Sequence, residues 1–302
     1  MKVIIYGSYL TPKGVDMAKV VVVTDSTAYI PEKFLKELGI QVIPLHVVWG
    51  DKVYKDNVDL KSDDFYPMLK TAKELPTTSQ PSPQEFMDLY KTILDKDDKV
   101  VSIHISSGIS GTINSANQAK EILDSKDIAI VDSKSSGMAL GFIAMVTARL
   151  AKKNASFEEC VTLAEKAVQN VGVYFMVNTL EYLHKGGRIG GASALLGSAL
   201  DLKPILHFDE EGKIGSYDKV RTKMKAIRRI IEISEEKIGT QKPIHFCILQ
   251  VEAEEDAQFV KSELENHYQN GEIEEIMIAG LSPVIGTHTG PGVIAISYLA
   301  GL

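Results

Sequence analysis

The sequence predicts an α/β protein of two domains. The first is a three-layer α/β/α unit on a parallel sheet, and the second a two-layer α/β unit on a mixed sheet. Three observations carry this. The run Val20-Val21-Val22-Val23 is continuous and β-branched, as in a strand buried on both faces. Strands of the first half end in small hydroxyl or acidic residues just before helical segments, the βαβ rhythm of a doubly wound sheet. A chain of 302 residues has room for two cores.

Residues 1–16, ahead of Met17, read as an extension or leader and are given no functional role. The first ten residues lack a basic region followed by a long apolar stretch, so no signal peptide is predicted. The valine run leads into Thr24-Asp25-Ser26-Thr27, then into a helical segment at 31–38 that Gly39 stops. A second strand is expected over 41–49, interrupted at Pro44. Ser82-Pro83-Gln84-Glu85 opens a helix: Ser82 can cap, Pro83 suits the first helical position, and Glu85 completes a capping box. A third strand at 100–105 runs into Ser106-Ser107-Gly108-Ile109-Ser110-Gly111-Thr112, and a fourth at 128–131 ends in Asp132-Ser133. Ser156 and Glu159 form another capping box, and the domain boundary is placed there, giving domains 17–155 and 156–302. Strands at 173–177, 244–251, 275–279 and 293–298 then alternate with helices.

Composition narrows the function. The net charge of -7 opposes non-specific binding to nucleic acid or anionic membrane, and the basic cluster Lys219, Arg221, Lys223, Lys225, Arg228, Arg229 lacks interleaved aromatics. No apolar run reaches the roughly 18 residues of a membrane span. Cys160 and Cys247 lie in apolar periodic segments without metal spacing, so they read as buried thiols and point to a cytoplasmic location. His46 and His104 fall within strands and read as packed side chains. No metal site is expected.

Four segments carry candidate chemistry. Pro76-Thr77-Thr78-Ser79-Gln80-Pro81 is either a helix-entry loop or a rigid rack of hydroxyls at a helix N-terminus, a place for an anion. The Ser106–Thr112 stretch joins strand to helix with hydroxyls and glycines that allow close backbone approach to a ligand. It is neither a Walker loop nor a dinucleotide fingerprint, and it only approximates a nucleophile elbow. Gly286-Thr287-His288-Thr289-Gly290-Pro291-Gly292 places a histidine in what reads as a loop outside the core. Leu183-His184-Lys185-Gly186-Gly187-Arg188-Ile189 either cradles a phosphate or presents Arg188 to a partner.

Together these stretches, with Val23-Thr24-Asp25-Ser26-Thr27 and Leu202-Lys203-Pro204-Ile205, resemble the DegV family of bacterial fatty-acid-binding proteins. The matches run in order across nearly the whole chain. The resemblance implies a DegV-like pair of α/β domains with one long-chain fatty acid, such as palmitate or oleate, between them and no other cofactor. It implies that Thr78, Ser110 and His288 hold the carboxylate, with Ser79, Ser107 and Gly108 as further candidates beside them. It implies a non-enzymatic carrier that presents the acid to the ATP-binding subunit of a fatty acid kinase, which makes an acyl phosphate. Arg188 and Arg221 match the docking surface for that subunit. The competing readings are a serine-based acyl- or phosphoryl-transfer enzyme using Ser110 or Ser107 with His288 as base, and a binder of another small anion. Against the enzyme, no carboxylate is identifiable to orient His288. For the tail, either Phe142, Ile143, Met145 and Val146 or Ala192, Leu195, Leu196, Ala199 and Leu200 are candidates, although both groups also read as helix core.

Overall fold

The computed structural model describes residues 18–197, 202–268 and 271–302. The expected extension at 1–16 lies outside the described residues.

The valine run is strand β1 (Val20–Asp25), which leads through a 3₁₀ turn into α1 (Glu32–Leu38). Gly39 ends α1 in the left-handed region, as expected. The strand expected over 41–49 is two strands, β2 (Gln41–Ile43) and β3 (His46–Trp49), because Pro44 cannot continue a ladder. They belong to different sheets. β3 pairs with β4 (Lys52–Lys55) and with β5 (Thr77–Ser79), on either side of α2 (Ser62–Thr71) in sequence. The Thr-Ser rack is therefore strand, not helix-entry loop: Val47 pairs with Thr78 and His46 with Ser79.

α3 (Pro83–Leu94) starts with the expected capping box. β6 (Lys99–His104), α4 (Thr112–Leu123), β7 (Ile128–Asp132) and α5 (Met138–Ala151) complete the βαβ series. The strands form a wholly parallel sheet, ordered β2-β1-β6-β7. α6 (Phe157–Val168) begins at the second capping box. It packs against α5, β6 and β7, so this helix belongs with the first sheet rather than opening the second domain at 156.

The second sheet contains β8 (Val171–Met176), β9 (Lys203–Phe208), β10 (Ile214–Val220), β11 (Ile244–Gln250), β12 (Ile273–Gly280) and β13 (Ile294–Ala300). Its order is β10-β9-β8-β13-β11-β12, antiparallel throughout except for the β11–β12 pair. The β9–β10 hairpin had no counterpart in the sequence reading. Its strands mix Lys, Asp, His and Pro with apolar residues and show no clean alternation. α7 (Glu181–Lys185) follows β8, while α8 (Lys223–Ile238) and α9 (Glu254–His267) cover the outer face of the sheet. α10 (Pro283–Thr289) precedes β13.

The layers stack as α3 and α4, the parallel sheet, α5, the mixed sheet, and α8 with α9. α5 touches β1 on one side and β13 on the other. A helix between two sheets has no wet face, which explains the unbroken apolar run of α5 and the burial of Met138 through Ala148. The largest core cluster spans both domains through α5. Arg149 of α5 bonds Glu275 of β12 at 3.1 Å, tying the central helix to the edge strand of the mixed sheet. Among the described residues no helix is long and apolar enough to cross a membrane. Cys160 and Cys247 are buried free thiols, as expected.

Candidate functional site

Between the inner face of the mixed sheet and the first domain lies a cavity that opens to solvent. Its wall is assembled from distant segments. Val173 and Phe175 of β8, Phe208 and Ile214 of the hairpin, Leu249 of β11 and Ala295 of β13 contribute from the second domain. Tyr29, Leu45, Ile105 and Ile109 contribute from the first. These side chains make the cavity predominantly apolar.

Its polar side chains come mainly from five segments. β5 and the residue after it supply Thr78, Ser79 and Gln80, the serine-rich loop supplies Ser110, the loop before α5 supplies Ser136, the loop after α7 supplies Arg188, and α10 supplies His288 and Thr289. Thr78 Oγ1 and His288 Nε2 are 2.8 Å apart. His288 Nδ1 is buried without a partner, packed so tightly against Gly186 that a Cβ there would stand 2.2 Å away. Placing the imidazole proton on Nε2, donated to Thr78, leaves Nδ1 a bare lone pair instead of an unpaired N–H, the milder burial of the two. The Thr78 hydroxyl hydrogen is then free to donate into the cavity. Burial, and after it the nearby Arg188 charge, hold the His288 pKa down at about 4, so the ring is neutral at pH 7.

His288 was expected in a loop, and it lies instead on α10. Ser282 and Pro283 start that helix, and the Thr287 and Thr289 hydroxyls donate back to the carbonyls of Pro283 and Ile285. Four donors or acceptors of the first domain grip its N-terminal end. Asp56 Oδ1 accepts from Val284 N at 3.1 Å, Tyr29 Oη accepts from Ser282 N at 3.1 Å, and Ser62 and Tyr66 donate to Leu281 O. Asp56 also accepts from Ser26 Oγ at 2.7 Å, and burial raises its pKa to about 6.

Of the sequence candidates, Thr78, Ser79, Ser110, His288 and also Arg188 meet at the cavity. Arg188 Nε donates to Ile109 O at 3.2 Å and a terminal nitrogen donates to Gly186 O at 2.6 Å. The guanidinium thus ties the serine-rich loop to the glycine that backs His288. Arg188 also brings a cation to the cavity wall beside the hydroxyl donors. Ser107 and Gly108 are not brought to the cavity. Ser107 is exposed and donates to Asp132 Oδ2 at 2.5 Å. Gly108 packs against the tip of the β9–β10 hairpin, where a Cβ would stand 2.6 Å from Gly212 O. Arg221 is exposed just before α8. None of the described tail candidates lines the cavity: Phe142, Ile143 and Met145 are fully buried in α5, while Ala199 and Leu200 lie outside the described residues. Gln80, Tyr29 and Leu45 were missed as lining residues. Gln80 stood in the quoted motif, whereas nothing local marks the other two.

The geometry disfavours serine chemistry at the cavity. Ser110 Oγ bonds Thr112 Oγ1 at 2.9 Å, not His288, and no carboxylate orients Nδ1. A triad-like chain exists elsewhere: Asp25 Oδ2 to His104 Nδ1 at 3.1 Å, His104 Nε2 to Ser102 Oγ at 2.7 Å, and Tyr90 Oη donating to Ser102 at 2.8 Å. All three triad members are fully buried. No substrate reaches them, so they form a polar brace between β1 and β6, and His104 is packed as expected. Among the described residues no cluster of metal-ligating side chains occurs.

Fold and cavity together define a class, two-domain α/β proteins with an apolar cavity at the domain junction. The family described as "Uncharacterised protein, DegV family" matches residues 19–301. Protein DegV of Bacillus subtilis is 40% identical over 280 residues, covering 92% of this chain and 98% of the relative. The chain therefore belongs to the DegV family. The crystal structure of the Bacillus subtilis DegV, described as a fatty acid binding protein, superposes with a TM-score of 0.84 at 39% identity, covering 94% of this chain and 99% of the other. A DegV family protein from Thermus thermophilus, whose structure is described by its fatty acid binding, gives a TM-score of 0.87 at 31% identity, covering 93% and 99%.

Proposed function

We propose that the cavity holds one long-chain fatty acid, with its carboxylate at Thr78, Ser110 and His288 and its tail along the apolar wall. The observation that carries this is the coupling of a hydroxyl–histidine pair to a predominantly apolar cavity. Burying an alkyl chain is worth roughly 0.8 kcal/mol per methylene, so about a dozen give on the order of 10 kcal/mol before ordering costs. A carboxylate leaves water only if donors replace its hydration. The Thr78 and Ser110 hydroxyls and the neutral His288 Nε2–H supply them. Family relatives described as fatty acid binding proteins support the ligand class.

In this reading the protein is a cytoplasmic, non-catalytic carrier that offers the head group to a fatty acid kinase ATP-binding subunit. Exposed Arg221 is its docking residue, and Arg188, on the cavity wall, links docking to the head-group site. Native mass spectrometry of the protein as purified, followed by denaturing extraction, tests the ligand. A released free fatty acid is expected. Bare protein that also refuses added palmitate and oleate refutes the reading.

A further inference from the structure

Tyr29 stands on a boundary. Tyr29 lines the central cavity and also a separate surface groove whose wall sets Leu35, Val42, Pro44 and Val58 beside the polar Glu32 and Asp56. The groove is mainly apolar, and Val42 and Val58 are exposed on it. Tyr29 is therefore the partition between two apolar spaces.

The residue is held there against its own backbone preference. Its φ of 54° and ψ of 24° lie in the left-handed region, which a bulky residue rarely adopts and which costs of order 1 kcal/mol or more. The hydroxyl is fixed at 3.1 Å from both the N and the Oγ of Ser282. Gly137 flanks the ring: a Cβ there would lie in van der Waals contact with Tyr29 at 3.8 Å and 2.8 Å from Leu249 Cδ1, so the ring and Leu249 close together over the glycine. Ser282 and His288 stand at opposite ends of α10, about 9 Å apart at 1.5 Å per residue. The partition is thus at the end of α10 remote from the histidine.

We propose that Tyr29 is a tail stop: it ends the acyl chamber on this side and so sets an upper limit on ligand length. The inference rests on the fatty-acid reading. Without the ring, the chamber would run on into the apolar groove, and the last methylenes of a longer chain would lie against Val42, Pro44 and Val58.

The test is competition. The protein is exposed to an equimolar mixture of saturated acids of increasing even chain length, and the bound set is read by native mass spectrometry. Tyr29→Gly removes the ring and suits the left-handed backbone. Each newly buried methylene is worth roughly fourfold in affinity, from ~0.8 kcal/mol per CH₂. The bound set should therefore shift toward longer acids, on the order of tenfold for a two-carbon step. Tyr29→Phe keeps the ring and should keep the wild-type ranking. Tyr29→Trp enlarges the stop at the same backbone strain and should shift the ranking to shorter acids, which carries the test if the glycine variant does not fold. Folded variants that rank the acids as wild type does overturn the role of Tyr29. Wild-type protein that binds none of the acids refutes the fatty-acid reading instead.

Discussion

Replacing Thr78 with valine keeps the shape of the side chain and deletes one hydroxyl. That hydroxyl is the partner of His288 Nε2 at 2.8 Å, while Nδ1 has none. The ring is neutral at pH 7 because its pKa is held at about 4. Thr78→Val therefore leaves a buried N–H without an acceptor, which costs about 1–3 kcal/mol. At roughly 2–4 °C per kcal/mol, the unfolding midpoint of delipidated protein should fall by about 2–12 °C. The same hydroxyl is assigned to the carboxylate, and a hydrogen bond to a charged group contributes about 1.5–3 kcal/mol, or roughly 10- to 150-fold in Kd. Added oleate should recover part of the lost midpoint, because its carboxylate gives the orphaned Nε2–H an acceptor. Thermal unfolding with and without oleate, together with calorimetric titration of delipidated protein, reads both effects. A Kd within about twofold of wild type and an unmoved midpoint would remove Thr78 from the site and break the link to His288.

Asp56→Asn should change the pH profile of stability. Folding raises the Asp56 pKa from 3.8 to about 6, so the folded protein holds this proton to higher pH than the unfolded chain does. Its contribution is greatest below 3.8 and is lost as pH rises through about 6, amounting to ~3 kcal/mol at 1.36 kcal/mol per unit. The stability difference between wild type and variant should move by ~2 kcal/mol, in the variant's favour, from pH 4 to pH 7 in denaturant unfolding; a constant difference contradicts the assignment. Gly108→Ala should destabilise by ~1–3 kcal/mol, since the methyl meets backbone atoms at 2.6 Å and displaces the hairpin tip held by the Ser106–Gly212 hydrogen bond. An unchanged unfolding midpoint would show that the hairpin yields freely. Arg221→Ala should leave oleate affinity unchanged and slow phosphorylation of the bound acid by the kinase subunit; equal rates for variant and wild type remove Arg221 from the docking surface.

Much of the architecture was legible because it rests on local chemistry. The Ser82 and Ser156 capping boxes, the Gly39 stop and the buried valine strand are each decided by neighbours within a few residues. The family motifs likewise led to Thr78, Ser110 and His288, which line one cavity. Local signals misled where packing overrode them. The glycines around His288 suggested a loop, yet Gly286 lies inside α10 because the Tyr66 and Phe65 rings occupy the space a side chain would need. Gly108 read as ligand-facing, yet it makes room for the backbone of a hairpin more than a hundred positions away.

What the sequence by itself determined is the βαβ series of the parallel first sheet, the capped helices and the family. What only the tertiary structure decided is the cavity. Its wall draws single residues from β8, β9, β10, β11, β13 and α10 and from the turns after β1 and β6. No period of two or of 3.6 links such residues, because they share a surface only after the two sheets close on α5. An apolar residue facing a cavity and one facing a core obey the same local pattern. Tyr29 shows the difference: in sequence it is an aromatic residue after a polar turn, and in the fold it divides two chambers.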